Sequence, residues 1–332
     1  MAYLNFLSKL RAPRVSICVP TYNAASFITR TLGFAAGQTM QDIRILVSVD
    51  LSEDNTLEVC QAAAAQDSRI DVVAATERLG WGGNSAALIG RVDTPYFFFY
   101  YHDDIVLPQY CERMVAALEA NPQAASANCS VAMLLGDHDI VPAHSYSGTI
   151  AERLVTAYQF PQIPGAPLRS MTRTDIMPKD GVFQTGPDAG LWQAYSFVST
   201  LLIGGEAVGV PDQLYTRWIR KAGYVKGWGT SEYATHRATW ERTAAMMVPK
   251  ILQAVPDKDE RQAVLMALGA RIEDVLIHAA NAPKHQRIPP VHDAFPDVSD
   301  DLPTTLSPAL SERMEHIRAH TLQLRCDKGI DA

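Results

Sequence analysis

Thr94-Pro-Tyr-Phe-Phe-Phe-Tyr-Tyr-His-Asp-Asp-Ile-Val-Leu-Pro108 is the stretch on which the reading of this chain turns. Six aromatic residues run unbroken from Tyr96 to Tyr101 and stop at His102, Asp103 and Asp104. Such a run suits a strand buried on both faces of a sheet. Strand side chains alternate between faces, so two adjacent carboxylates cannot serve one site from extended backbone. The pair is therefore expected on the turn beyond the strand, with Pro108 opening a helix at its first position. In open α/β sheets, ligands bind beyond the carboxyl ends of the strands. Two acids there, beside a histidine, suit a hard divalent cation with oxygen ligands. They also suit a turn acid followed by a helix N-cap.

Upstream, Arg14 to Pro20 (RVSICVP), Asp42 to Asp50 (DIRILVSVD) and Arg69 to Ala75 (RIDVVAA) read as three further strands. Helices are expected from Ala25 to Ala36, from Leu57 to Ala65 and from Ser85 to Val92, with Gly80-Trp-Gly-Gly-Asn84 a flexible turn before the third. Downstream, a helix from Pro108 to Ala120 precedes a fifth strand, Ala124 to Leu135. This alternation predicts an α/β fold built of βαβ units, with a mostly parallel, Rossmann-like sheet flanked by helices. Thr21, Tyr22, Asp50, the Gly80–Asn84 turn, Asp103 and Asp104 all fall at strand exits, so a site along one edge of that sheet is expected.

After Gly136 the alternation fails. Asp137 to Ser147 reads as loop, and Thr149-Ile-Ala-Glu152 as a capping box before a helix reaching Tyr158. Arg169 to Lys179 is polar and mixed, and Leu191 to Leu202 is amphipathic. Two helices, from Ser231 to Val255 and from Asp257 to Ala280, form a C-terminal helical extension. They are expected to pack as a hairpin on the main domain or on a second copy, as a homodimer contact. A Pro-rich tail follows, with a last helix from Leu310 to Leu324. The chain thus divides into an arm (1–13), a first half (14–135), a second half (136–230) and the helical hairpin and tail (231–332).

A net charge of −7 argues against a broad nucleic-acid face. Cys18, Cys60, Cys111, Cys129 and Cys326 are scattered, odd in number and free of Cys-x-x-Cys spacing, which predicts reduced thiols in a cytoplasmic protein. Met1 to Pro13 mixes apolar residues with Lys9 and Arg11. It is read as an arm packed on the protein's own body, or as a peripheral contact with a membrane surface. Gly80-x-Gly82 lacks a third glycine and follows the third strand, so it is not a dinucleotide fingerprint. His278, His285 and His292 are evenly spaced, but Pro283 and Pro289 prevent one shared helix.

Val15 to Asn23 (VSICVPTYN), Leu46 to Thr56 (LVSVDLSEDNT), Asn84 to Pro95 and the His-Asp-Asp at 102–104 occur in an order that resembles family 2 glycosyltransferases of the GT-A fold. The resemblance covers residues 13–135 well and continues more weakly to residue 220. It implies a metal-dependent, inverting enzyme that moves a sugar from a nucleotide-sugar, a UDP-sugar first of all, to a hydroxyl on a saccharide or lipid-linked acceptor. By that resemblance Pro20, Thr21 and Tyr22 line the nucleoside pocket, with Tyr22 stacking near the base. Asp50 accepts a hydrogen bond from the base or ribose, and Arg78 or Asn84 faces the base or diphosphate. Asp103 and Asp104 hold Mn²⁺ or Mg²⁺, and Asp188 is the general base, although it is also placed to cap the helix that follows. This chain departs from the family pattern in three places. Val49 precedes Asp50 where a second acid is usual, Tyr101 stands where the metal motif begins with an acid, and no histidine follows Arg217 in the usual way. A nucleotidyltransferase or a non-catalytic nucleotide- or glycan-binding protein of related fold are the alternatives. The first is discounted because Pro20-Thr-Tyr-Asn23 is neither glycine-rich nor basic.

Overall fold

A computed structural model of the protein describes residues 12–135, 137–159, 167–184, 192–218, 233–277, 303 and 305–327. Asp188, Trp228, His278, His285, His292 and residues 1–11 of the expected arm lie outside them. The chain separates into two compact units, one of Met1–Ser145 with Gly165–Ile219, the other of Tyr146–Pro164 with Arg220–Ala332. These units are drawn differently from the four segments expected, because Tyr146–Pro164 clusters with the C-terminal part while Gly165–Ile219 stays with the first unit.

The first unit is built on β1 (Val15–Thr21), β2 (Ile43–Val49), β3 (Ile70–Ala74), β4 (Tyr96–Phe99), β5 (Ile105–Val106), β6 (Ala124–Leu135), β7 (Asp137–Val141), β8 (Met171–Arg173) and β9 (Glu206–Trp218). Its helices are α1 (Ile28–Ala36), α2 (Thr56–Ala64), α3 (Gly80–Arg91) and α4 (Tyr110–Ala120), with one further helix, Gln193–Gly204, between β8 and β9. Among the described residues the strands form one sheet in the order β3-β2-β1-β4-β8-β6-β9-β5, with β7 paired to β6. The β3-β2-β1-β4 part is parallel, as βαβ connections require. Beyond β4 the sheet is mixed, with β8 antiparallel to both β4 and β6, and β9 parallel to β6.

The aromatic run behaves as an alternating, doubly buried strand. Phe97, Phe98 and Phe99 are wholly inaccessible. On one face Phe98 meets Tyr110 at 4.6 Å between ring centroids. On the other, Phe99 packs edge-on against Phe183 and Phe197, at 5.7 and 5.4 Å. All seven residues of β1 are buried beside it. Burying side chains of this size stabilises by about 1.5–3 kcal/mol each, so β1 and β4 fix the position of the strand exits.

Three local expectations are corrected. The strand ends at Phe99, and a two-residue strand, β5, intervenes before α4, which starts at Tyr110 with Pro108 in the turn before it. β5 escapes a sequence reading because only its pairing with β9 makes it a strand. Residues expected as loop form β7, a hairpin partner of β6. β9 carries Pro211 within it. The register jumps from Cys129 opposite Val210 to Ser130 opposite Gln213, so a bulge absorbs the proline that cannot donate to the ladder. Finally, Gly80 begins α3 rather than a turn.

The second unit contains α5 (Ile150–Gln159), the helix just named in the first unit being α6, then α7 (Tyr233–Ala254), α8 (Lys258–Leu276) and α9 (Pro308–Asp327). The capping box is reciprocal, with Glu152 N–H donating to Thr149 Oγ1 at 3.2 Å and Thr149 N–H to Glu152 Oε2 at 3.0 Å. Asp257 caps α8 by accepting from Glu260 N–H at 2.9 Å. Arg325 donates to both oxygens of the buried Glu273 at 2.7 Å, which ties α9 to α8. Among the described residues no helix is long and apolar enough to cross a membrane.

Candidate active site

The exits of β1, β2 and β4 lie side by side at the carboxyl edge of the parallel strands. The chain leaves β1 through Tyr22 and Asn23, and Asn23 adopts φ 45°, a left-handed conformation that asparagine tolerates better than most residues. Its backbone N–H donates to Ser52 Oγ at 3.2 Å, and its side-chain oxygen accepts from Glu53 N–H at 2.9 Å. Ala24 N–H donates to Thr56 Oγ1 and Ala25 N–H to Asp54 Oδ2. The turn after β1 is thus bolted to the turn after β2. Burial pushes the Asp54 carboxyl up, but the hydrogen bonds from Thr56 and Ala25 outweigh it and hold the group below the usual carboxylate range.

Asp50, at the exit of β2, is 1% exposed. Its carboxylate accepts from Leu51 N–H at 2.9 Å, Leu79 N–H at 2.8 Å and Gly80 N–H at 3.0 Å, and it pairs with Arg78. An anion bonded to the first N–H groups of a helix is favoured by the helix dipole, which is why α3 begins where the sequence suggested a turn. Gly80 has φ 70°, so the tight entry into α3 requires a glycine. A side chain at Gly82 would strike Gln193 and the Gln184 carbonyl. The Arg78 guanidinium lies over the Tyr22 ring, 3.5 Å from its centroid. Asn84 is buried and donates its amide to the carbonyls of Thr21 and Ser48, at 3.2 and 3.1 Å. Among the described residues its side-chain oxygen and the Thr21 hydroxyl have no hydrogen-bond partner. Pro20 is in the last turn of pairing with β2, opposite Ser48.

At the exit of β4, His102 links the two rims. Its Nδ1 accepts from Tyr22 N–H at 3.4 Å, its carbonyl accepts from the Thr31 hydroxyl, and its ring meets Phe27 edge-on. Asp103 is half-buried, whereas Asp104 is 1% exposed. Asp104 Oδ2 accepts from Arg169 Nε at 2.8 Å and pairs with Nη2 at 2.7 Å. Arg169 is itself buried, its guanidinium 5.1 Å from the Tyr101 ring and 5.4 Å from the Tyr215 ring. Burial pushes the Asp104 carboxyl above its ordinary value, Arg169 pulls it back and Asp103 raises it again. Burial also pushes the Tyr101 phenol well up, so it stays a neutral hydroxyl.

Arg217 is half-buried near the end of β9. Thr216 pairs with Ile105 and Tyr215 with Val106 in antiparallel register. Arg217 is the next residue along β9, and the charges of Asp104 and Asp103 both act on it. Arg169 was missed by the sequence reading. It lies 65 residues beyond its partner, and nothing local distinguishes it from the polar residues around it. The signal available was indirect, since a buried acid demands a cation.

The residues present do not fit a divalent cation held by two carboxylates. Such an ion takes several oxygen ligands, carboxylates first. Here Asp104 is committed to Arg169, and a protonated phenol occupies position 101. Among the described residues no three His, Cys, Asp or Glu side chains converge to hold a metal.

Residues 16–161 match the family model described as glycosyl transferase family 2. An uncharacterized glycosyltransferase of Haemophilus influenzae is 31% identical over 109 residues, covering 33% of this chain and 34% of that protein. The putative glycosyltransferase EpsH of Bacillus subtilis is 30% identical over 106 residues, 32% of this chain and 30% of that one. The chain spans about a third of the length of these curated relatives. Among solved structures, S. aureus TarS 1-349 in complex with UDP-GlcNAc superposes with a TM-score of 0.64 at 14% identity, over 93% of this chain and 81% of that one. That likeness establishes a shared fold: a mixed sheet flanked by helices, with helices C-terminal to it.

Proposed function

We propose that this chain, which matches the family 2 glycosyltransferase model over residues 16–161, moves a sugar from a nucleotide-sugar, a UDP-sugar first of all, to a hydroxyl of a saccharide or lipid-linked acceptor. The observation that carries this reading is the convergence, at three neighbouring parallel strand exits, of an aromatic platform and a ring of charged groups. The platform is Tyr22 with Arg78 laid on it at 3.5 Å. A nucleobase can stack there, and such stacking is worth about 1–3 kcal/mol. The structural neighbour TarS has been crystallised with UDP-GlcNAc and with UDP, which supports a uridine nucleotide as the first donor to try.

In this reading Asp50 acts as a positioning residue. Its backbone and Arg78 bonds hold the platform and the start of α3 in place. Thr21 and Asn84 supply buried side-chain oxygens with no hydrogen-bond partner among the described residues. Transfer with inversion forms a bond from the acceptor oxygen to the anomeric carbon while the bond from that carbon to the diphosphate breaks. The acceptor proton goes to a carboxylate on the opposite face, a role typically worth ~10²–10⁴-fold. Asp188 is proposed for it from the family resemblance. Family 2 glycosyltransferases often use Mn²⁺ or Mg²⁺, but no step here is drawn through a metal, because Asp103 and Asp104 are a poor fit for one.

Radiolabelled sugar nucleotides incubated with the protein test the proposal. Release of free sugar, or transfer to added saccharide, is expected with one donor and is expected to fall in Tyr22→Ala. Binding of a donor with no turnover in any acceptor mixture would favour the non-catalytic alternative.

A further inference from the structure

We propose that the positive charge facing the departing diphosphate is supplied by this chain's own guanidinium groups, Arg217 foremost with Arg169 behind it, so that the donor is held without a divalent cation. The inference rests on the nucleotide-sugar reading and deepens it.

It begins with where the charges sit. Asp104 gives Oδ2 to two N–H groups of Arg169, and both residues are at least nine-tenths buried. A cation at Oδ2 would have to displace Arg169. That would leave a buried guanidinium unpaired, and breaking a buried pair costs about 3–5 kcal/mol. A divalent ion arriving beside Asp103 would also meet the field of two guanidiniums, Arg169 and Arg217. The position that could have added a second ligand is Tyr101, whose phenol is neutral, buried and, among the described residues, without a hydrogen-bond partner.

Arg217 stands differently from Arg169. Among the described residues it makes no hydrogen bond or ion pair, and it follows directly on the β9 residues paired with β5, where the charges of Asp104 and Asp103 act on it. Burial and the neighbouring charge of Arg169 hold its pKa below the usual arginine value. Even so shifted, a guanidinium stays protonated at neutral pH. A desolvated guanidinium with its planar donors uncommitted is suited to phosphate oxygens, which it can take in pairs. Arg169 neutralises Asp104, so the second carboxylate does not repel the diphosphate. Arg217 is then the guanidinium left to meet the leaving group.

The test is titration calorimetry on the full chain, freed of metal by dialysis against EDTA. UDP is the first probe, with GDP and dTDP in parallel, and each titration is repeated with millimolar MnCl₂. UDP affinity is expected to change by less than about twofold on adding Mn²⁺. Arg217→Met should weaken UDP by about 10–100-fold, the size of a lost charge-assisted hydrogen bond pair. Uridine, which lacks the diphosphate, should bind that variant as it binds the wild type, and Arg217→Lys should recover part of the loss. A gain of tenfold or more with Mn²⁺ that disappears in Asp103→Asn would overturn the inference while leaving the nucleotide-sugar reading in place. If none of the nucleotides binds with or without Mn²⁺, both fall. The wild-type arm stands on its own should an Arg217 variant fail to fold.

Discussion

Asp50 and Asp104 invite comparison. Each is a carboxylate just past a parallel strand, each is 1% exposed, and each is paired with an arginine. Their surroundings differ. Asp50 is satisfied locally, by three backbone N–H groups and by Arg78, which is itself one-third exposed. Asp104 is satisfied by Arg169, a buried residue from the second half of the chain. The first acid builds a loop, whereas the second joins two halves of one sheet. The same residue type at equivalent strand exits therefore serves two ends, and burial of the partner decides which.

The sharpest way to break this comparison is Arg169→Met, which strands the Asp104 carboxylate in the interior. A loss of about 3–5 kcal/mol is expected in urea unfolding. The double variant Arg169→Met, Asp104→Leu should recover a good part of it, because no buried charge then remains. Equal losses in the single and double variants would mean that the pair matters through packing alone. Asp50→Ala should cost less, about 1.5–3 kcal/mol, the range for hydrogen bonds to a charged group. Its signature is local: the amides of Leu79 and Gly80 should exchange faster with solvent while those of β4 do not.

Tyr22→Ala comes next, and its effect should be on ligand rather than on fold. Nucleotide affinity is expected to drop by about 5–150-fold, the equivalent of ~1–3 kcal/mol of stacking, with the unfolding midpoint little changed. The smallest effect concerns pH. The hydrogen bonds from Arg69 hold the Asp67 carboxyl below its ordinary value, though burial works against them. A depressed carboxyl contributes stability that is present above its unfolded pKa and is lost as pH falls through its folded pKa. Asp67→Asn should therefore flatten the acid limb of the stability profile below about pH 4. An unchanged limb would show that the pair is fully screened.

Much of the first unit was legible in the sequence because its physics is local. Doubly buried strands show as unbroken apolar runs, and the helices between them show as periodic ones, so β1 to β4 and α4 were found within a few residues. The reciprocal bonds of Thr149 and Glu152 were legible for the same reason. What escaped depends on partners far along the chain. β5 exists only against β9, and β7 only against β6. The start of α3 at Gly80 depends on Asp50, 30 residues earlier. The site was read in the same uneven way. Tyr22, Asp50, Arg78, Asn84, Asp103 and Asp104 were named as residues, but their mutual bonds were not. The adjacent acids suggested a cation, and the cation found is the Arg169 guanidinium.

The central claim, that the carboxyl edge of β1, β2 and β4 holds a sugar nucleotide, is tested most directly by crystals soaked in turn with UDP, GDP and dTDP. The account expects one of them with its base on the Tyr22–Arg78 platform and its diphosphate turned toward Arg217 and the acidic turn at Asp103. A nucleotide bound elsewhere, or none bound at any concentration the crystals tolerate, would contradict it.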